Sequence, residues 1–144
     1  MSPDKINGLD CILLIDDDDS TNFVHRKVIE FTNIHTDVQI TTSGIEALEY
    51  LTCTGKYAGN KNYAQSGIIF LDINMPGMDG WDFLEEYKQL NENQKARIVV
   101  VMVTSSINPA DKERAETNKD VISFLNKPLT VESVQKVVAD YFYV

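Results

Sequence analysis

Four short apolar runs in this chain each end in a polar side chain able to do chemistry. Residues 11–15 lead into Asp16-Asp17, residues 68–71 into Asp72, residues 98–103 into Thr104-Ser105, and residues 121–126 into Lys127. Asp72 is followed at once by Ile73-Asn74-Met75-Pro76-Gly77-Met78-Asp79-Gly80. Carboxylates brought close together either take up protons or bind a cation. A hard divalent ion with oxygen ligands, Mg²⁺ or alternatively Mn²⁺, meets that need and keeps several waters, so one or two direct carboxylates suffice. Asp17 and Asp72 are the expected direct ligands, with Asp16 acting through water and the backbone carbonyl of Asn74 completing the set. With ion and Lys127 neutralising charge, a carboxylate oxygen of Asp72 can attack a phosphoryl group. Thr104 would donate its hydroxyl to another phosphoryl oxygen, and the product is an acyl phosphate.

Such residues meet only if the elements behind them bring them together. Residues 11–15 form a continuous apolar run of strand length, the pattern of a strand covered on both faces. Ser20 reads as a helix N-cap, with Val24, Val28 and Phe31 as the apolar stripe of a helix reaching about Thr32. Residues 38–42 alternate like a second strand, and residues 44–51 follow as a helix with Ala47, Leu48 and Leu51 on one face. Residues 54–67, rich in Gly, Asn, Lys, Tyr and Gln, read as a surface insertion. Residues 68–71 are the third strand, and residues 81–90 a helix with Phe83, Leu84 and Tyr87 on one side. Residues 98–103 are the fourth strand, and Asn108-Pro109 suits a helix start. Residues 121–126 are the fifth strand, before a last helix over 130–141 with Val131, Val134, Val137, Val138 and Tyr141 on one face.

Alternating strands and helices predict an α/β, doubly wound fold around a five-stranded parallel sheet. Ligands of such sheets sit beyond the carboxyl ends of the strands, which gathers Asp16, Asp17, Asp72, Thr104 and Lys127 at one edge.

Composition bounds the rest. At 144 residues and 43% hydrophobic, the chain suits one domain with a full core. The expected organisation is an N-terminal tail over 1–9 and the domain over 10–144. No apolar stretch approaches the roughly 18 residues of a membrane helix, and the first residues lack a signal-peptide pattern, so a cytoplasmic protein is expected. Cys11 and Cys53 lack the spacing of a zinc site or a disulfide framework and read as buried thiols. With 13 basic and 22 acidic residues the net charge is −9, which disfavours nucleic acid and anionic membranes as partners.

Leu14-Ile15-Asp16-Asp17, Leu71-Asp72-Ile73-Asn74-Met75-Pro76-Gly77-Met78-Asp79-Gly80, Val103-Thr104-Ser105 and Lys127-Pro128, in that order, resemble the motifs of the receiver domain of bacterial two-component response regulators. Among these, single-domain chemotaxis regulators are the simple members. The resemblance covers the chain from about Cys11 onward, and four ordered motifs are far more specific than one. It implies a flavodoxin-like (βα)5 fold of strand order 2-1-3-4-5. It further implies that Asp72 accepts a phosphoryl group from the phosphohistidine of a histidine kinase or a histidine phosphotransfer protein, with Mg²⁺ bound. Autophosphorylation from small donors and autodephosphorylation follow, and the chain is a phosphoacceptor rather than an enzyme. Lys127 is expected to precede a cis peptide to Pro128. Thr104 and Phe124 are the implied switch residues, read on the second-to-last helix, last strand and last helix by a downstream protein. Phe124 stands where the family often has Tyr. The 54–67 insertion resembles the extended loop of some stand-alone regulators, including those paired with bacterial phytochromes. The residues after Lys127 suffice only for a last helix, so no output domain is expected. Asn74 and Ser106 are expected to line the water's approach to the phosphoryl group.

Two rival readings use the same residues. Asp17-Asp18-Asp19-Ser20-Thr21 also resembles the opening of haloacid-dehalogenase-type phosphatases, with Asp17 as nucleophile and Asp19 as general acid. Against it, those enzymes' later paired acidic motif is missing. A receiver acting as an unphosphorylated adaptor would be expected to lack a key acid, the Thr or the Lys, and none is lost. Asp18 and Asp19 read as solvated charges at a helix start. His25 and His35 have no catalytic companions. The aromatic end Tyr141-Phe142-Tyr143 either packs or contributes to a homodimer.

Overall fold

The computed structural model describes residues 4–5, 9–59, 66–90, 97–105 and 108–142. Its centre is a five-stranded sheet made of β2 (Cys11–Ile15), β4 (Asp37–Thr41), β5 (Ser66–Asp72), β6 (Arg97–Thr104) and β7 (Val121–Asn126). The strands lie in the order β4-β2-β5-β6-β7, and every adjacent pair is parallel. Counted along the chain within this sheet, that is the expected 2-1-3-4-5. The carboxyl ends of β2, β5, β6 and β7 therefore share one edge.

Side-chain alternation along these strands fills two cores. Leu13, Ile15, Ile69, Leu71, Val100 and Met102 face α2 (Gly44–Thr52), α3 (Gly80–Lys88) and α4 (Pro109–Thr117). Ile12, Leu14, Ile68, Phe70, Val101 and Val103 face α1 (Asp19–Phe31) and α5 (Val131–Phe142). Burial on both faces explains why these strands read as unbroken apolar runs.

Helix starts follow their capping side chains. Ser43 accepts the Glu46 N–H, Asp79 and Asp82 form a capping box, and Asn108 accepts the Ala110 N–H ahead of Pro109, each meeting donors that a helix start leaves without partners. On α1 the cap is Asp18, whose carboxylate accepts the Ser20 N–H, rather than Ser20 itself. Its buried face is Asn22, His25 and Ile29; of the predicted stripe only Val28 packs against the core, since Phe31 is 74% exposed and Val24 also faces solvent. On α5 Phe142 packs and Tyr141 is exposed, so the aromatic end divides.

Two boundaries differ from expectation. Asp4–Lys5 form a short strand, β1, paired in parallel with β3 (Ile34–His35), and Leu9 is buried in the α1/α5 core, so the predicted tail contributes to the fold. The predicted insertion ends early, because Ser66 and Gly67 belong to β5. A Cβ on Gly67 would stand 2.1 Å from the Cys11 carbonyl oxygen, so the β2/β5 pairing requires glycine there. At its start the insertion is anchored by a 3-10 turn over Gly55–Tyr57, where Tyr57 donates its hydroxyl to Glu46 and packs edge-on against Tyr50. Of the two thiols, Cys11 is buried and Cys53 half-buried.

Candidate functional site

Strand ends deliver the site. Asp16 follows β2 directly, and its side chain accepts the backbone N–H of Asp18 at 2.9 Å. Asp72 closes β5 and accepts the backbone N–H of Asn74 at 3.4 Å. The stretch after Asp72 folds back tightly, the Gly80 N–H donating to the Ile73 carbonyl at 2.8 Å. A Cβ at Gly80 would meet the Asp72 carbonyl oxygen at 2.7 Å, so this glycine lets the turn close beneath the carboxylate. Gly77, at φ +74°, supplies the left-handed residue of the same turn.

Asp16, Asp17 and Asp72 bring carboxylate oxygens within 4.8 Å of one another, with Asp16 and Asp72 buried and Asp17 at the exposed mouth. Lys127 reaches in from β7, its ammonium 2.6 Å from Asp16 Oδ2 and 3.1 Å from Asp72 Oδ1. Burial raises the Asp72 carboxyl above the usual carboxylate range and the Asp16 charge raises it further, against the opposing pull of Lys127 and the Asn74 N–H. Burial opposes the charge on Lys127, but its bonds to Asp16 and Asp72 outweigh that and hold its pKa above the ordinary lysine value. A half-buried cation shared by two carboxylates cannot fully offset either one. An all-oxygen cluster with one carboxylate at its mouth suits a hard divalent cation that keeps part of its water.

Thr104 ends β6, buried, one position beyond Val103, the register partner of Asp72, and its carbonyl accepts the Lys127 N–H at 2.7 Å. The Lys127-Pro128 peptide is cis, as the resemblance implied. Phe124 lies half-buried in β7, three residues before Lys127, lining with Lys112, Ala115 and Glu116 a cavity of about 230 Å³ between α4 and β7. Asp19 opens α1 and is exposed, outside the acidic cluster of the described residues. Ser106 lies outside the described residues.

Residues 12–139 match the sequence model of the response regulator receiver domain. The chain belongs to that family. It is 33% identical over 129 residues to the two-component response regulator ARR7 of Arabidopsis thaliana, covering 88% of this chain but only 59% of that relative. It is 31% identical over 135 residues to the response regulator Rcp1 of Synechocystis, covering 94% of this chain and 88% of Rcp1. A structure of Rcp1 in a Mn²⁺-bound form superposes with a TM-score of 0.73 at 26% identity, over 94% of this chain and 96% of that one. The crystal structure of a two-component response regulator from Cytophaga hutchinsonii superposes with a TM-score of 0.79 at 33% identity, over 94% of this chain and 98% of that one. Among the described residues, no helix is long and apolar enough to cross a membrane.

Two polar residues at this edge carry no role in the sequence reading, Asn22 being passed over and His25 set aside as lacking catalytic companions. Asn22 donates its amide to the Asp16 carbonyl at 2.8 Å, and His25 accepts the Leu129 N–H on Nε2 at 3.2 Å. Both lie on the buried face of α1, where a search for apolar periodicity passes over them.

Proposed function

We propose that Asp72 is the phosphoacceptor of a signalling switch, charged by the phosphohistidine of a histidine kinase or a histidine phosphotransfer protein in the cytoplasm. The observation that carries this reading is the Asp72 carboxylate 3.1 Å from the Lys127 ammonium inside an acidic cluster. A carboxylate oxygen of Asp72 attacks phosphorus, the P–N bond of the donor breaks, and the donor imidazole keeps the electron pair. Lys127 stays beside the new acyl phosphate and stabilises its charge. Asp16, Asp17, Asp72 and the Asn74 carbonyl would hold Mg²⁺ or Mn²⁺, an ion that supplies positive charge to the phosphoryl oxygens when bound; the Mn²⁺-bound form of Rcp1 supports this assignment. Small phosphodonors serve in place of the histidine, and hydrolysis of the acyl phosphate resets the switch, with Asn74 lining the path of the water.

Thr104 then donates its hydroxyl to a phosphoryl oxygen, and Phe124 rotates in response. The cavity beside Phe124 supports such a movement. The altered face of α4, β7 and α5 is read by a protein target.

Nothing in the geometry favours Asp17 as the nucleophile, since Lys127 pairs with Asp16 and Asp72. Incubation with Mg²⁺ and acetyl phosphate should add the mass of one phosphoryl group to the protein and none to Asp72→Asn. An unchanged gain of mass in the variant would overturn the assignment.

A further inference from the structure

Helix α1 turns two polar side chains inward beside Ile29 and leaves Phe23, Val24 and Phe31 outside. Asn22 and His25 are 2% and 3% exposed, whereas Phe23 is 61% exposed. Buried polar groups cost free energy unless they are hydrogen-bonded, and each of these bonds the backbone of a segment bearing one partner of an ion pair in the site. Asn22 holds the Asp16 carbonyl, and His25 Nε2 holds the Leu129 N–H, two residues beyond Lys127. The Lys127 ammonium lies 2.6 Å from Asp16. The connections therefore close a ring running from α1 through Asp16, Lys127 and Leu129 back to α1.

Resting on the Asp72 reading above, we propose that His25 is a positioning residue that fixes the Lys127-Pro128-Leu129 turn and thereby sets where the Lys127 ammonium stands against Asp72. Leu129 is buried in the α1/α5 core and the Lys127 N–H bonds the Thr104 carbonyl, but on its other side the turn borders open space. His25, Ser105, Lys127 and Pro128 line a cavity of about 340 Å³, which gives the turn room to shift once its bond to α1 is lost. The bond needs the lone pair of Nε2, hence a neutral imidazole protonated on Nδ1. Burial favours that neutral form, with Lys127 acting in the same direction and Asp16 opposing it. An apolar side chain would leave the Leu129 N–H without its acceptor.

The variants His25→Leu and His25→Gln separate positioning from filling. Leu fills the space without an acceptor, whereas the Gln Oε1 reaches about as far as Nε2. With saturating Mg²⁺ and acetyl phosphate, Asp72 should be labelled about tenfold more slowly in His25→Leu and within about twofold of the unaltered rate in His25→Gln. On ¹⁵N-labelled unaltered protein near pH 7, His25 should show the Nδ1–H tautomer and an N–N coupling across the bond from Leu129. If His25→Leu does not fold, His25→Asn takes its place, its shorter side chain falling short of Leu129 and giving the slow rate. An unslowed Leu variant, equal slowing in Leu and Gln variants, or an Nε2–H tautomer would overturn the positioning role while leaving Asp72 as acceptor. No label on Asp72 in the unaltered protein would overturn the underlying reading, and the positioning role with it.

Discussion

Asp72 holds its negative charge against burial and against the neighbouring Asp16, while Lys127 divides its own charge between the two. The consequence for stability has a definite sign. A carboxyl whose pKa rises on folding binds its proton more tightly in the folded chain, so above the ordinary carboxylate range its ionised form subtracts from stability. Below about pH 3.9 the group is protonated in both states and the penalty vanishes. Asp72→Asn should therefore melt at a higher temperature than the unaltered protein at pH 7, with the gain shrinking as pH falls toward that range. A lower melting temperature at pH 7, followed by calorimetry, would contradict the electrostatic description. It is common for a site to carry a charge that function needs and stability does not. The residues of this site were legible because each ends an apolar run, which marks a strand tip. Asn22 and His25 were not, because a polar residue on a helix reads as solvent-facing until its hydrogen-bond partner is known.

Elements carry those side chains with different tolerances. The turn from Asp72 into α3 closes on Gly80, where an added methyl would press on the Asp72 carbonyl oxygen at 2.7 Å and on Ile73 Cα at 2.9 Å. Neither backbone atom can yield without moving the carboxylate. Gly80→Ala should cost about 1–3 kcal/mol of stability and also slow the labelling of Asp72; denaturant melts and label kinetics check both, and normal kinetics would show that the turn does not set the carboxylate. Further along, Trp81 joins α3 to α4, its indole N–H 3.2 Å from Asp111 and its ring 4.4 Å from the Arg114 guanidinium. Helix α4 buries only Ala115 among its described residues, so this polar bracket and the edge of β7 hold it. Sheet strands were readable from sequence because burial on both faces makes them apolar throughout. The face of α1 was not, because its inward positions bond backbone instead of burying hydrocarbon. Likewise β1 and β3 are too short for any period, and Gly67 looked like loop because its close approach to Cys11 is a tertiary fact.

At the scale of the whole molecule, the doubly wound parallel sheet performs the step that residue types alone cannot. It takes groups separated by most of the chain's length and places Asp16, Asp17, Asp72, Thr104 and Lys127 at one carboxyl edge. The net charge of −9 adds a field that would repel an anionic phosphodonor, and the Lys127 ammonium is the local counterweight within the acidic cluster. The alternation of strands and helices made this gathering predictable, because a parallel sheet puts every strand's carboxyl end on one edge, whereas the way α1 ties two strand-end loops together emerged only in three dimensions. The proposed switch requires that the acid at the end of β5 receive the phosphoryl group. The direct test is to phosphorylate the protein with acetyl phosphate and Mg²⁺, reduce the acyl phosphate with tritiated borohydride, and map the peptides. Tritium confined to position 72 is the predicted result, and tritium at position 17 with none at position 72 would contradict it.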